Sequence, residues 1–304
     1  MRCTSFRFIG VLACCALAQE AAALQVRLLS SAEIIGQQVI VGRAHCVGAT
    51  WLLTERLDLT RVSAGSHAAS TSRLRGLREG EKPWGLACLS QNQLWTLVAH
   101  DALAQITAGG EIVARVRLDR PRLGIYSAGE RLLLLQTPAG IGRPLLSAGL
   151  PGNVGAFTEW PAPISQYARS PDQQLRANLV SCGIGVSGYV PCWLANQTRL
   201  VIGDGTHVHT TERDLRFLRA TGVDEAAPIW DVALAGSSRV WVLASARPGP
   251  EGRRVGGRLT RSTRLAEDEG FIDLSPPARL ILWAADEQCV LLSATGQLVE
   301  VLAP

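Results

Sequence analysis

His207 and His209, one residue apart in DGTHVHT, come nearest in this sequence to a metal-ligand pair. If that segment is a strand, its period of two puts both imidazoles on one face. A metal centre needs a complete ligand set, and only Asp204 stands close by, so the pair is expected to be exposed and metal-free. Nucleophilic chemistry has as little support. There is no Gly-x-Ser-x-Gly elbow, and His45, His67, His100, His207 and His209 have no Ser and Asp partners fixed by spacing. Neither a P-loop nor a dinucleotide fingerprint occurs, and no cysteines form C-x-x-C. Asn196-Gln197-Thr198 is a glycosylation tripeptide that matters only in a glycosylating host. The motifs therefore predict no catalytic residue, no metal and no cofactor.

The elements that carry these side chains are strands. Helix signals are poor, and short apolar runs punctuated by Gly, Pro, Asn, Asp and Ser recur from Leu24 to the end. PWGLACLSQNQLWTL, Pro83 to Leu97, aligns without a gap on IWDVALAGSSRVWVL, Ile229 to Leu243, setting Trp84 on Trp230 and Trp95 on Trp241. With Trp95 as marker, equivalent positions fall at Trp51, Trp95, Leu133, Arg176, Trp241 and Val290, spaced 44, 38, 43, 65 and 49 residues. A four-stranded propeller blade occupies about 40 to 50 residues, so the period suits such a repeat. In the second unit the strands are expected at Trp84 to Leu89, Leu94 to Ala99, Ala102 to Thr107 and Ile112 to Leu118, with a hairpin turn at Gly109-Gly110. The last unit runs out of chain after three strands, and Leu24 to Ser30 is strand-like. The expected fold is all-β: a six-bladed β-propeller of four-stranded antiparallel blades, closed by the N-terminal strand. The competing arrangement is a β-sandwich of the same hairpins. Residues 200–227 fit least well, leaving open whether Arg199 to Gly203 ends the fourth blade or begins another hairpin.

Residues 1–23 read as an export signal. Arg2 and Arg7 supply the positive start, Phe8 to Ala18 the apolar run, and Ala21-Ala22-Ala23 the small residues for cleavage. Val11-Leu12-Ala13-Cys14 is a rival lipoprotein box that would anchor a lipid at Cys14. The rest, residues 24–304, is expected to be one propeller domain with no membrane span, placed outside the cytoplasm in a periplasm or secreted. Five cysteines remain after cleavage, and Cys182 and Cys192 are the best disulfide pair, because Gly183, Gly185 and Gly188 between them permit a tight turn. The pairing of Cys46, Cys88 and Cys289 is left open. The chain carries 30 basic and 26 acidic residues, every base except Lys82 being arginine, and these are scattered. No nucleic-acid footprint follows.

YARSPDQQLRANLVS, Tyr167 to Ser181, resembles the Ser-Pro-Asp-Gly turn of TolB-type propeller repeats through Ser170-Pro171-Asp172, with Gln173 where those repeats have glycine. The other units resemble NHL and lactonase-like six-bladed propellers. The lactonase resemblance implies a divalent cation held by acidic and Asn side chains at the central channel. Here the starts of the innermost strands offer Trp84, Arg122, Trp230, Asp231 and Arg279, and Asp231 is the only acid. These five are the candidate channel-mouth residues for a ligand. Arg253 and Arg254, in the basic glycine-rich loop Ala246 to Arg258, are candidate loop contacts. The expected function is a non-catalytic scaffold that binds a protein, peptide or glycan on one rim. A channel-centred hydrolase or lactonase is the alternative.

Overall fold

A computed structural model describes residues 24–30, 32–89, 93–128, 130–136, 145–151, 158–159, 180–185, 190–194, 200–203, 208–210, 229–236, 239–244, 247–248, 254–263 and 268–304. The export signal expected at 1–23 lies outside them. All regular structure among the described residues is strand.

The chain opens with β1 (Gln25–Ser30). A first sheet follows as β2 (Ile40–Cys46), β3 (Ala49–Thr54), β4 (Asp58–Ser63) and β5 (Ala69–Arg73). The second is β6 (Pro83–Leu89), β7 (Gln93–Val98), β8 (Ala102–Ile106) and β9 (Ile112–Arg117). The third is β10 (Arg122–Ala128), β11 (Arg131–Gln136), β12 (Leu145–Gly149) and β13 (Thr158–Glu159). The fourth is β14 (Val180–Cys182), β15 (Val190–Leu194), β16 (Leu200–Gly203) and β17 (Val208–Thr210). Each sheet is an antiparallel meander in chain order. The remaining strands are β18 (Ile229–Ala235), β19 (Arg239–Ala244), β20 (Arg247–Pro248), β21 (Arg254–Thr263), β22 (Asp268–Ala284), β23 (Gln288–Ser293) and β24 (Leu298–Leu302). They make one path, β18-β19-β21-β22-β23-β24-β1, with β20 paired to β21. In β22, Asp268 to Asp273 and Ala278 pair with β21, and Ala278 to Ala284 pair with β23. Pro276 and Pro277 stand between the two halves and have no N–H to donate, so the ladder is interrupted there.

Second strands explain the repeated apolar frame. ATWLLT in β3 is buried throughout, and QLWTLV, RVWVLA and QCVLLS in β7, β19 and β23 are buried after their first residue. A strand covered on both faces reads as a continuous apolar run rather than an alternation. Fourth strands differ: ASTSR in β5 is largely open to solvent, and IVARVR in β9 is half-buried with no fully buried residue. The marker residues Trp51, Trp95, Leu133, Trp241 and Val290 all sit on second strands. The expected turn at Gly109-Gly110 is present, with Gly110 at φ +86°, where a Cβ would lie 2.4 Å from the Arg73 carbonyl oxygen.

Apolar clusters join the sheets face to face. The first packs on the second through Trp51, Leu53, Leu86 and Leu94. The second packs on the third through Trp95, Leu97, Leu132 and Leu134. Leu52 and Val62 of the first sheet also meet Leu282, Trp283, Val290 and Leu292 of β22 and β23, so the first sheet touches both the second and the last. Each such side chain, moved from water into these seams, contributes about 1.5–3 kcal/mol. Trp241 is the largest fully enclosed side chain among the described residues. The N-terminal β1 pairs antiparallel with β24 from Gln25↔Leu302 to Ser30↔Leu298.

The fourth unit departs from the sequence expectation. Its marker at Arg176 and the Ser170-Pro171-Asp172 turn lie outside the described residues, and the second strand of the fourth sheet is Val190–Leu194. Leu200–Gly203 and Val208–Thr210 are its third and fourth strands, which settles the ambiguity at residues 200–210.

Candidate functional site

The first strands β2, β6, β10, β18 and the second half of β22, with the Cys182–Gly185 segment, surround a central cavity of about 730 Å³. Their residues reach it by a shared irregularity. Each of β2, β6, β10, β18 and β22 slips register against its second strand near its start, skipping Val41, Gly85-Leu86, Leu123, Trp230 and Arg279 respectively. A bulge of this kind turns side chains out of the ladder and bends the strand. All of the skipped residues line the cavity. Close strand approach is served by Gly183, where a Cβ would sit 1.8 Å from the Val232 carbonyl oxygen. There Ile184 N–H donates to Val232 O at 2.9 Å, and Leu234 N–H donates to Ile184 O at 2.9 Å, tying the fourth sheet to β18.

Of the five residues expected at the channel mouth, Trp84, Trp230, Asp231 and Arg279 line the cavity. Arg122 does not appear in its wall. It is buried at the start of β10, with Nη2 donating to Asp119 at 2.8 Å. The two tryptophans play one structural part. Trp84 Nε1–H donates to the Leu123 carbonyl at 2.8 Å and Trp230 Nε1–H to the Arg279 carbonyl at 2.6 Å, in each case a bulged residue of a neighbouring first strand. Trp84 still leaves nearly half of its surface exposed and meets His100 in a tilted ring contact at 5.7 Å. The Arg279 guanidinium turns to the β1–β2 connection, donating to Gly36 O at 2.9 Å and to Gln38 O.

Asp231 is buried, and its oxygens are committed. Arg43 Nη2 donates to Oδ1 at 2.8 Å and Nη1 donates to Oδ2. Backbone N–H groups of Val232 and Ile281 add bonds at 2.9 and 2.7 Å, and Arg43 Nη1 also donates to the Ile281 carbonyl at 2.6 Å. His45 lies two residues beyond Arg43 on the same strand and face. Burial, and then the Arg43 charge, hold its pKa below the ordinary imidazole value. Tyr126, also in the wall, has its phenol pushed up by burial, against the lowering effects of a hydrogen bond from the Cys182 backbone and the Arg43 charge. Sequence reading passed over Arg43 and Tyr126, and named His45 only as a histidine without partners fixed by spacing. The legible signal was the alternation in IVGRAHC, which sets two polar rings of charge and imidazole on one side of an otherwise apolar strand.

Two cysteines of the wall, Cys46 on β2 and Cys88 on β6, form a disulfide across the first and second sheets. Cys182 is also disulfide-bonded, and the β14–β15 register sets it opposite Cys192. Cys289 is a free, buried thiol, its pKa raised well above normal by burial and by the Asp231 charge. No three His, Cys, Asp or Glu among the described residues converge as a metal site. His207 and Arg253 lie outside the described residues; His209 falls on β17 opposite Ile202, and Arg254 on β21 opposite Pro248.

No family model and no curated protein matches this sequence. Solved structures do. Virginiamycin B lyase from Staphylococcus aureus aligns over 92% of this chain and 99% of its own, at 11% identity and a TM-score of 0.53. The PQQ-bound aldose sugar dehydrogenase from Streptomyces coelicolor covers 92% and 98%, at 14% identity and TM-score 0.52. YCF48 from Cyanidioschyzon merolae covers 92% and 98%, at 11% identity and TM-score 0.51. The fold is that of a β-propeller. In a propeller the first strands of the blades face the axis, which is where the cavity, the bulges and the Arg43–Asp231 pair are found. At these identities the likeness extends to the propeller fold alone, since one fold hosts many activities.

Proposed function

We propose that the protein is an exported six-bladed β-propeller that works as a non-catalytic binding scaffold, taking a protein, peptide or glycan partner on the rim where the first strands begin. Six first strands or segments around one cavity support the blade count. Pairing of β1 with β24 supports completion of the last blade by the N-terminal strand. The disulfides at Cys46–Cys88 and at Cys182 support an oxidising, extracytoplasmic compartment reached through the leader at 1–23.

One contrast carries the binding reading. The cavity's charged pair is already satisfied internally, while the cavity wall presents exposed apolar surface at Trp84 and Leu123. A carboxylate held by a guanidinium and two backbone amides has no lone pair to spare for a cation or a substrate proton. Exposed apolar residues beside polar ones are the usual make-up of a recognition surface. The test is to probe the purified protein, residues 24–304, against peptide and glycan arrays and, in parallel, against a panel of esters and lactones. Saturable binding that weakens in Trp84→Ala supports the scaffold. Turnover of any ester or lactone, abolished in Asp231→Asn, overturns it in favour of a channel-centred hydrolase.

A further inference from the structure

His45 is held in one protonation geometry by a relay that ends on another sheet. Thr50 Oγ1 donates its only proton to the Leu282 carbonyl at 2.5 Å. The His45 Nδ1 contact with the same Oγ1, at 3.1 Å, therefore requires Nδ1 to be the donor. A neutral imidazole so fixed has its lone pair on Nε2. Nε2 has no hydrogen-bond partner among the described residues and is not sealed as His67 Nδ1 is, and His45 lines the cavity. Among the described residues, the remaining charged and titratable groups in the wall are Arg43, Asp231, Arg279 and Tyr126. Arg43 and Asp231 are spent on each other, and the Arg279 guanidinium holds two backbone carbonyls. Both indole N–H groups are likewise committed, leaving the rings as apolar surface.

We propose that His45 Nε2 is the hydrogen-bond acceptor of a small-molecule site in the central cavity, and that its ligand is an uncharged hydroxylated ring compound with an apolar face, the chemistry of a neutral sugar. An ammonium ligand meets the Arg279 charge, whose guanidinium donates to backbone carbonyls, and a carboxylate ligand finds the Nη groups of both guanidiniums already donating. A hydroxyl donor to Nε2, with the ring against Trp84 or Trp230, satisfies the wall as it stands. This rests on reading the cavity as a binding site rather than a catalytic one. The lowered pKa of His45 keeps Nε2 unprotonated into mildly acid solution.

Diethyl pyrocarbonate, which acylates an unprotonated imidazole nitrogen, is the probe, read by mass spectrometry of the His45 peptide. His45 should be labelled at Nε2, and its labelling should persist to lower pH than that of free imidazole. Methyl glucoside, methyl galactoside and maltose are added as competitors, with glucuronate and glucosamine as charged controls. At least one neutral sugar should slow labelling about tenfold at about ten times its Kd, by mass action, and the charged sugars should not. Thr50→Val should shift label to Nδ1; should that variant fail to fold, the 15N chemical shifts of the two His45 ring nitrogens in the unaltered protein decide the tautomer. No labelling of His45 overturns the open acceptor, and labelling that no neutral sugar slows overturns the ligand class. Either failure leaves rim binding on the arrays intact, whereas turnover in the ester panel removes the reading beneath both.

Discussion

Arg43 on β2 and Asp231 on β18 meet as a two-point ion pair across the central cavity, 188 residues apart in sequence. Both side chains are largely buried, at 14% and 6% exposure. The pair links the first sheet to the fifth first strand, and the Arg43 bond to Ile281 O extends it to β22. A buried pair of this kind contributes little relative to apolar substitutes, yet is costly to break from one side.

Asp231→Leu should therefore destabilise the protein by about 3–5 kcal/mol, because it strands the Arg43 guanidinium in the cavity wall. The double variant Arg43→Met with Asp231→Leu should recover most of that loss. Denaturant unfolding of the four proteins of the cycle measures it. If the single and double variants lose equal stability, the pair is not what matters at this position.

The pH dependence of stability should carry a His45 contribution of definite sign. Its folded pKa lies below the ordinary 6.5, so between the two values the unfolded chain binds more protons than the folded one. Stability then falls as pH drops from about 6.5 through the folded pKa, and levels off below it. His45→Gln should flatten this part of the curve. Thermal melts of both proteins between pH 7.5 and 5 are the measurement, and parallel curves would count against the buried, neutral imidazole.

Some of this was legible in the sequence and some was not, for reasons of range. Trp51, Trp95, Leu133, Trp241 and Val290 mark second strands because burial on both faces forces a local apolar run. The fourth sheet escaped because its second strand, VPCWL, is short and begins with Val190-Pro191, weakening both the period and the strand signal. Trp84 and Trp230 could be paired by alignment, but their indole bonds to Leu123 and Arg279 depend on bulges, which are facts of register between strands and leave no local pattern. Arg43 escaped for a like reason: its partner is on another sheet. Cysteines were read by proximity, which singled out Cys182 and Cys192 and could not reach Cys46–Cys88, 42 residues apart on two different sheets.

The thiol inventory follows from that geometry. Non-reducing peptide mapping should recover Cys46 linked to Cys88 and, from the β14–β15 register, Cys182 linked to Cys192. Cys289 should resist alkylation in the native protein, since it is enclosed and its thiol is held protonated by burial and by Asp231, and should react only on unfolding. Opening the Cys46–Cys88 loop by Cys46→Ala with Cys88→Ala should cost about 2–4 kcal/mol. A peptide joining Cys182 to any cysteine other than Cys192 would contradict the register assignment.

The proposed completion of the last blade by the N-terminal strand makes the sharpest demand. β1 exposes Val26 and Leu28, so it stabilises mainly through its ladder with β24 and through Arg27, whose Nη2 lies 2.7 Å from the buried Glu300 carboxylate. Gln288 Nε2 donates to the other oxygen of Glu300. Removing residues 24–30 leaves β24 as an open edge and Glu300 without its counter-charge, and an uncovered edge strand is a template for association. The truncated protein, beginning at Ser31, should unfold at lower denaturant and form soluble oligomers detectable by light scattering. A synthetic peptide of residues 24–30 supplied in excess should reverse both, because the missing strand needs only to pair, not to be covalently joined. Equal stability and a monomeric truncated protein would mean that β24 is a tolerated edge and that the blade is complete with three strands.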